Sequence, residues 1–294
     1  IVLLIISSFP LSINFYQDKL SYSKYSVFDK LSLNLLFNLY LLLLISFTKI
    51  DYSLVFILLI LLSLLTNIFY TLKNKHFYYK ETIFLFFIFL NLLIFFYISR
   101  DPTLAWDGLE NWYFKAQSFY YNYNFFELSN APGLNYYPHL GSFLWGFFWK
   151  NSFLQYEYFG RLVNIFIFLL SIFSISNLLN KNDFLKPIVI ALIILLCFDD
   201  FLFRGYQETL IFSFLILISK YFYLYTTTKN KFSLFVCFLF LNLLPWLKNE
   251  GYIFVLIFTI SLLYFAKQPK HRKQISLFIF ISWILIIVKK LIFY

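Results

Sequence analysis

Three short polar stretches in a strongly apolar chain hold residue types able to exchange protons and to steady anionic charge. WDGLENWYFKA, residues 106–116, carries Asp107, Glu110 and Lys115; DDFLFRGYQETL, residues 199–210, carries Asp199, Asp200, Arg204 and Glu208 around Gly205; WLKNEGY, residues 246–252, carries Lys248, Asn249 and Glu250 before Gly251. Arg161 lies between the first two, in FGRLVNI. Brought onto one surface, carboxylates and cations of this kind make a composite site in which a carboxylate takes a proton and a cation balances developing negative charge.

The same residues also fit plainer roles. Asp107 followed three residues later by Glu110 is close to a capping box, in which both acids serve free N–H groups at a helix start. Gly251 can end a helix, and Lys248 with Glu250 can be a surface pair of negligible worth. What separates the readings is whether the three stretches share one side of the protein.

The elements that must hold these stretches are membrane spans. The chain is 61% hydrophobic and 13% charged, with a mean hydropathy of +0.76, well beyond a soluble domain on both counts. Apolar runs near the length that crosses a bilayer, roughly 17–25 residues, fall at 31–48, 53–72, 82–98, 159–179, 184–203, 208–225, 232–247, 252–266 and 274–294. The expected fold is therefore an all-α polytopic transmembrane helix bundle of about nine spans plus an N-terminal remnant at 1–16, forming a single domain over 1–294. The chain begins at Ile1, has no Met and stops at an apolar run, so it reads as truncated at both ends. Cys197 and Cys237 both sit inside apolar runs and build neither a disulfide framework nor a zinc pattern.

Alternating the connections gives one side 17–30, 73–81, 180–186, 220–231 and 267–273, with fifteen lysines and arginines, among them Lys30 and Lys220; the other side has seven. The basic side is cytoplasmic by the positive-inside rule. The net charge of +10 is thus mostly an orientation signal, and nucleic acid is not an expected partner. Ten of the fourteen acids fall on the opposite side, an asymmetry that topology does not require. Charge near apolar helix ends needs a partner or a task, which points to chemistry on the outer face.

The longest outer connection, 99–158, contains Trp106, Trp112, Trp145 and Trp149. Read as a helix, 107–120 puts Leu109, Trp112, Ala116, Phe119 and Tyr120 on one face and Asp107, Asn111, Lys115 and Ser118 on another, an amphipathic helix of the kind that lies in the membrane interface.

The order WDGLENWYFKA, YYPHL, FGRLVNI, GYQE and WLKNEG, with its common sidedness, resembles bacterial integral-membrane glycosyltransferases of the GT-C fold, related to the protein O-mannosyltransferase and aminoarabinose transferase families, over residues 100–260. It departs from them in having at least three spans before the large loop and Trp106–Asp107–Gly108 in place of paired acids.

The resemblance implies transfer of a sugar from a polyprenyl-phosphate carrier to a glycan, lipid or protein acceptor on the periplasmic or extracellular face of a bacterial inner membrane, with inversion. Asp107 matches the catalytic carboxylate, with Glu110 beside it. Lys248, Arg204, Arg161 and Lys115, in that order, would bind the donor phosphate. Glu208 and Glu250 would orient those cations or bind acceptor hydroxyls, and Trp106, Trp112 and Tyr137 would stack on sugar, line the lipid entrance or anchor in the interface belt. A divalent cation, Mg or Mn, is compatible with Asp107, Asp199, Asp200 and Glu208, though no spacing compels one. A transporter or flippase of lipid-linked saccharides is the chief rival, with an envelope polysaccharide polymerase or ligase next; a transporter predicts ionisable residues in the middle of spans.

Overall fold

The computed structural model describes residues 27–74, 82–131, 138–176, 204–265 and 269–293, with 178, 185 and 188–192. Among these every regular element is a helix. The long helices are α1 (Val27–Ile45), α2 (Tyr52–Asn74) and α3 (Thr82–Arg100). The large outer connection follows, with a π-helical turn at Gly108–Tyr113, α4 (Phe114–Tyr120), α5 (Phe125–Ser129) and α6 (Leu140–Lys150). Beyond it run α7 (Glu157–Ser176), α8 (Glu208–Thr228), α9 (Lys231–Leu247), α10 (Gly251–Phe265) and α11 (Pro269–Phe293).

Four of the described helices, α1, α3, α7 and α8, are long and apolar enough to cross a membrane, where the sequence leads to an expectation of nine spans. Tyr52–Thr66, α9 and α10 are apolar but shorter. Most of the expected span 184–203, the remnant 1–16, and Asp199, Asp200 and Tyr137 lie outside the described residues.

Helix α7 is the hub, packing against α1, α3, α6 and α8. Its inner face meets Phe28 of α1 and Phe87 of α3 through Phe173, with ring centroids 5.0 and 5.4 Å apart. Three fully buried rings from three helices, each contributing roughly 1.5–3 kcal/mol by burial alone, fix the register of these helices. At the α8–α9 corner, Lys229 adopts a left-handed φ of 57° and the Asn230 side chain accepts from Phe232 N at 2.9 Å, so a two-residue turn suffices to fold α9 back along α8.

Two polar residues expected in cytoplasmic connections are inside the bundle instead. Asp29 is in the first turn of α1, and α8 runs on through Lys220 to Thr228 because the aromatic residues after Lys220 keep presenting an apolar surface. Lys220 is buried and ion-paired with Asp29, and its Nζ also donates to Ser174 O at 2.8 Å and Oγ at 2.6 Å. One lysine thereby ties α1, α7 and α8 together.

At the opposite end, the connection after α1 meets the large loop. Phe125 N donates to Ser46 O at 2.8 Å, Tyr52 Oη donates to Tyr123 O at 2.8 Å, and Lys49 pairs with Glu127 at 3.0 Å. The loop is ordered from within by Trp112, Ala116, Trp145 and Trp149, a second apolar cluster apart from the main core. Helix α6, buried along its length from Leu140 to Trp149, is the floor on which the loop rests. At eleven residues it is too short to cross a bilayer.

Candidate functional site

The site is assembled where the π turn, the start of α8 and the α9–α10 corner converge. The expected helix over 107–120 is present, but its first part winds as a π-helix, an uncommon form often found at functional positions. Asp107 does not cap it: its backbone is already helical, at φ −64° and ψ −37°, and its side chain makes no cap hydrogen bond. Its carboxylate instead accepts from Asn111 Nδ2 at 2.6 Å and from Trp112 Nε1 at 2.8 Å, one donor on each oxygen. The capping box is found at Asn124 and Glu127, where Asn124 Oδ1 accepts from Glu127 N at 2.9 Å and Glu127 Oε2 accepts from Asn124 N at 3.0 Å.

The predicted polar face is corrected at Lys115, which is buried at 2% exposure, and the predicted apolar face at Leu109, which is exposed. Gly108, Trp112, Lys115 and Phe119 form the buried stripe. Gly108 is at a point of close backbone approach: a Cβ there would stand 2.5 Å from Arg204 O. The same carbonyl accepts from Ala105 N at 3.0 Å, and Gly205 turns the chain with φ +90° against the Trp145 ring. Glycine is needed at 205 for that left-handed backbone.

Lys248 follows directly on the end of α9, and its extended backbone, φ −154° and ψ 156°, carries the side chain off the helix. The ammonium forms an ion pair with Glu208 at the first turn of α8 and lies 3.9 Å from Glu250. It also stands 6.0 Å from the centroid of the Trp112 ring, while Lys115 stands 5.5 Å from the same ring. Trp112 is thus the hinge of the cluster: its indole N–H holds Asp107 and its π face meets two lysines, an arrangement favoured by the ring quadrupole.

The two lysines differ electrostatically. Burial pushes the Lys115 ammonium down to about 7. Burial also acts to lower Lys248, but hydrogen bonding and charge pairing with Glu208, helped by Glu250 and Asp107, outweigh it and leave Lys248 above the ordinary lysine value. His139, just before α6, is held well below the usual histidine range by burial and by the charges of Lys115 and Lys289.

Of the residues singled out from sequence, Asp107, Lys115, Glu208, Lys248 and Glu250 come together, and Trp112 links them. Glu110 is exposed, and Trp106 is 74% exposed. Arg161 is buried and holds the start of the loop rather than facing the cluster: its Nη2 donates to Pro102 O at 2.6 Å and to Glu157 Oε2 at 3.0 Å, its Nη1 to Thr103 O at 3.3 Å. Arg204 contributes its backbone to the π turn, and its charge lies near Asp101. Among the described residues no three His, Cys, Asp or Glu side chains gather to hold a metal; Asp199 and Asp200 are outside that set.

Sequence reasoning missed three residues. Asn111 reads from sequence only as part of a polar face, and Lys289 falls inside the apolar run 274–294 with no role that the sequence indicates; Lys289 donates to Pro245 O, and its Nζ lies 3.1 Å from Tyr252 Oη and 5.3 Å from the Trp246 ring. Gln207, directly before Glu208, enters the sequence reading only within the stretch GYQE, with no role of its own.

Compared with models of protein families, with curated proteins and with solved structures, the chain matches none.

Proposed function

We propose that this chain is an integral-membrane glycosyltransferase that moves a sugar from a polyprenyl-phosphate donor to an acceptor hydroxyl on the non-cytoplasmic face, with inversion at the anomeric carbon. The observation that carries the reading is the Asp107 carboxylate, held by Asn111 and Trp112 in a π turn and neighboured through Trp112 by Lys248 and Lys115.

In the reaction the acceptor oxygen bonds to the anomeric carbon as the bond from that carbon to the phosphate oxygen breaks. The acceptor proton passes to Asp107, and the electron pair of the broken bond leaves on the lipid phosphate. Two donors on Asp107 fix its orientation without neutralising it, as a general base requires. The lysines over Trp112 supply positive charge where the phosphate gains negative charge. Lys248, already balanced by Glu208, is suited to holding geometry; Lys115, buried and close to half-protonated at neutral pH, is suited to receiving an anion.

The test is transfer of radiolabelled sugar from polyprenyl phosphate in membranes carrying the full-length protein or its Asp107→Asn variant. Asparagine keeps an acceptor for Trp112 but cannot take the proton, so transfer should fall at least about 100-fold with insertion intact. Full activity in the variant would remove Asp107 as base.

A second reading, transport of a lipid-linked saccharide, gains support from the buried Asp29–Lys220 pair, since ionisable residues inside spans mark substrate and proton pathways. It predicts movement of labelled lipid-linked sugar across proteoliposomes that depends on Asp29 and not on Asp107.

A further inference from the structure

The corner between α9 and α10 carries Lys248, and a lysine from α11 closes on that corner from both sides. An α-helix leaves the carbonyls of its last turn without donors from its own backbone. In α9 the Leu244 carbonyl accepts from Lys248 N at 3.2 Å, after which the chain turns extended and the helical ladder stops. The next carbonyl, that of Pro245, accepts from Lys289 Nζ. The same ammonium stands 5.3 Å from the centroid of the Trp246 ring, 5.1 Å from that of Tyr252 and 3.1 Å from Tyr252 Oη. Pro245 and Trp246 precede Lys248, whereas Tyr252 follows it in the first turn of α10.

Each contact has a physical reason to hold. The helix macrodipole favours a cation at a C-terminus, a lysine there can serve the last carbonyls, and both ring faces attract the ammonium. A lysine at the end of a span ordinarily keeps its ammonium in water. Lys290 is exposed in that way, but Lys289 is 3% exposed and turned inward onto the corner. Behind the corner, Trp246 rests on Phe47 and Phe125, with ring centroids 5.6 and 6.3 Å away, so the last turn of α9 is set against the end of α1 and the large loop. Gly251 lets the two helices meet closely, since a Cβ there would stand 2.3 Å from Leu244 O. From this clamped corner the Lys248 side chain reaches the start of α8 and pairs with Glu208.

We propose that Lys289 is a positioning residue for Lys248: by capping α9 from α11 and gripping both flanks of the corner, it holds the Lys248 ammonium at Glu208 and the Trp112 ring. Its effect on catalysis rests on the glycosyltransferase reading; its hold on Lys248 does not.

The experiment compares wild type and Lys289→Met, each full-length in lipid nanodiscs. Lysines are acylated with limiting acetic anhydride at fixed pH and read by mass spectrometry, and sugar transfer is followed by steady-state kinetics. A lysine paired with a carboxylate stays protonated and acylates slowly. In Lys289→Met the labelling of Lys248 should rise at least about threefold as its pairing loosens, while Lys49, paired with Glu127 on the same face, labels as in wild type. The kcat for transfer should fall about tenfold, with donor KM within about twofold of wild type. Unchanged labelling of Lys248 would overturn the proposal. So would a parallel rise at Lys49, because the variant would then have loosened the whole outer face, and so would wild-type kcat in a variant whose Lys248 labelling has risen. If Lys289→Met does not insert, Lys289→Gln takes its place, with the same outcomes; failure of both to insert would also overturn the proposal, by making Lys289 a residue of folding. Raised Lys248 labelling in the variant combined with no sugar transfer by wild type would sink the transferase reading and leave the hold on Lys248 standing.

Discussion

Trp112 Nε1 reaches Asp107 Oδ2 at 2.8 Å from five residues further along the chain. In an α-helix, five residues would carry the side chain about 140° around the axis, away from its partner; the π-helical turn at Gly108–Tyr113 brings the two onto one face. Local winding and the orientation of the carboxylate are thus the same structural fact.

Trp112→Phe keeps an aromatic face for Lys115 and Lys248 but deletes the donor to Asp107. The turnover number should drop by about 10- to 100-fold, the range for losing one hydrogen bond to a charged group in the transition state. Donor KM should move little. Steady-state kinetics with labelled donor separates the two, and a change confined to KM would assign Trp112 to binding instead.

Lys115 links the site to pH. Its folded value of about 7 lies below the ordinary 10.5, so Lys115 loses its positive charge as pH rises through about 7 while Lys248 keeps its own, and affinity for an anionic donor should fall over that range. Because the shift is downward for a base, the unfolded chain binds the extra proton between about 7 and 10.5, and stability rises with pH across that window. In Lys115→Met the pH dependence of donor KM near 7 should vanish, and the variant should gain stability over wild type most at pH 6 and least at pH 10. Donor titrations and thermal unfolding across that range check both signs.

The buried Asp29–Lys220 pair should behave as an all-or-none device. Lys220→Met leaves a carboxylate in the bundle without its cation and should destabilise by about 3–5 kcal/mol. Adding Asp29→Leu should recover most of that loss, since apolar pairs replace buried ion pairs at little cost. Unfolding by denaturant in detergent micelles measures both, and sugar transfer by the double variant should persist if the pair is purely structural.

Gly108→Ala places a methyl against the Arg204 carbonyl, a backbone atom that cannot swing away. Separation of the two segments should cost about 1–3 kcal/mol and lower transfer without altering the chemistry of any site residue. Retained activity in this variant would show that the π turn tolerates displacement.

The helices were legible because hydrocarbon thickness sets the length of an apolar run, and most expected spans coincide with a described helix. Their ends were less so: α8 passes Lys220, since a charge paired inside the bundle need not terminate a helix. The site was legible as residue types on one side, Asp107, Lys115, Glu208 and Lys248, because charge at apolar helix ends stands out. Their arrangement was not. Asp-x-x-Glu at 107–110 and Asn-x-x-Glu at 124–127 both fit capping patterns, and only backbone conformation decides between them. A π turn leaves no compositional trace.

The hydrogen bond from Ala105 to Arg204 and the seat of Gly108 on Gly205 join segments far apart in the chain. During synthesis the Asp107 turn therefore emerges long before its seat exists, and it acquires Lys248 later still, once α9 has followed α8. Assembly of the polar cluster therefore waits on α8: Asp107 and its own donors Asn111 and Trp112 are made first, and the backbone seat and the lysine come afterwards.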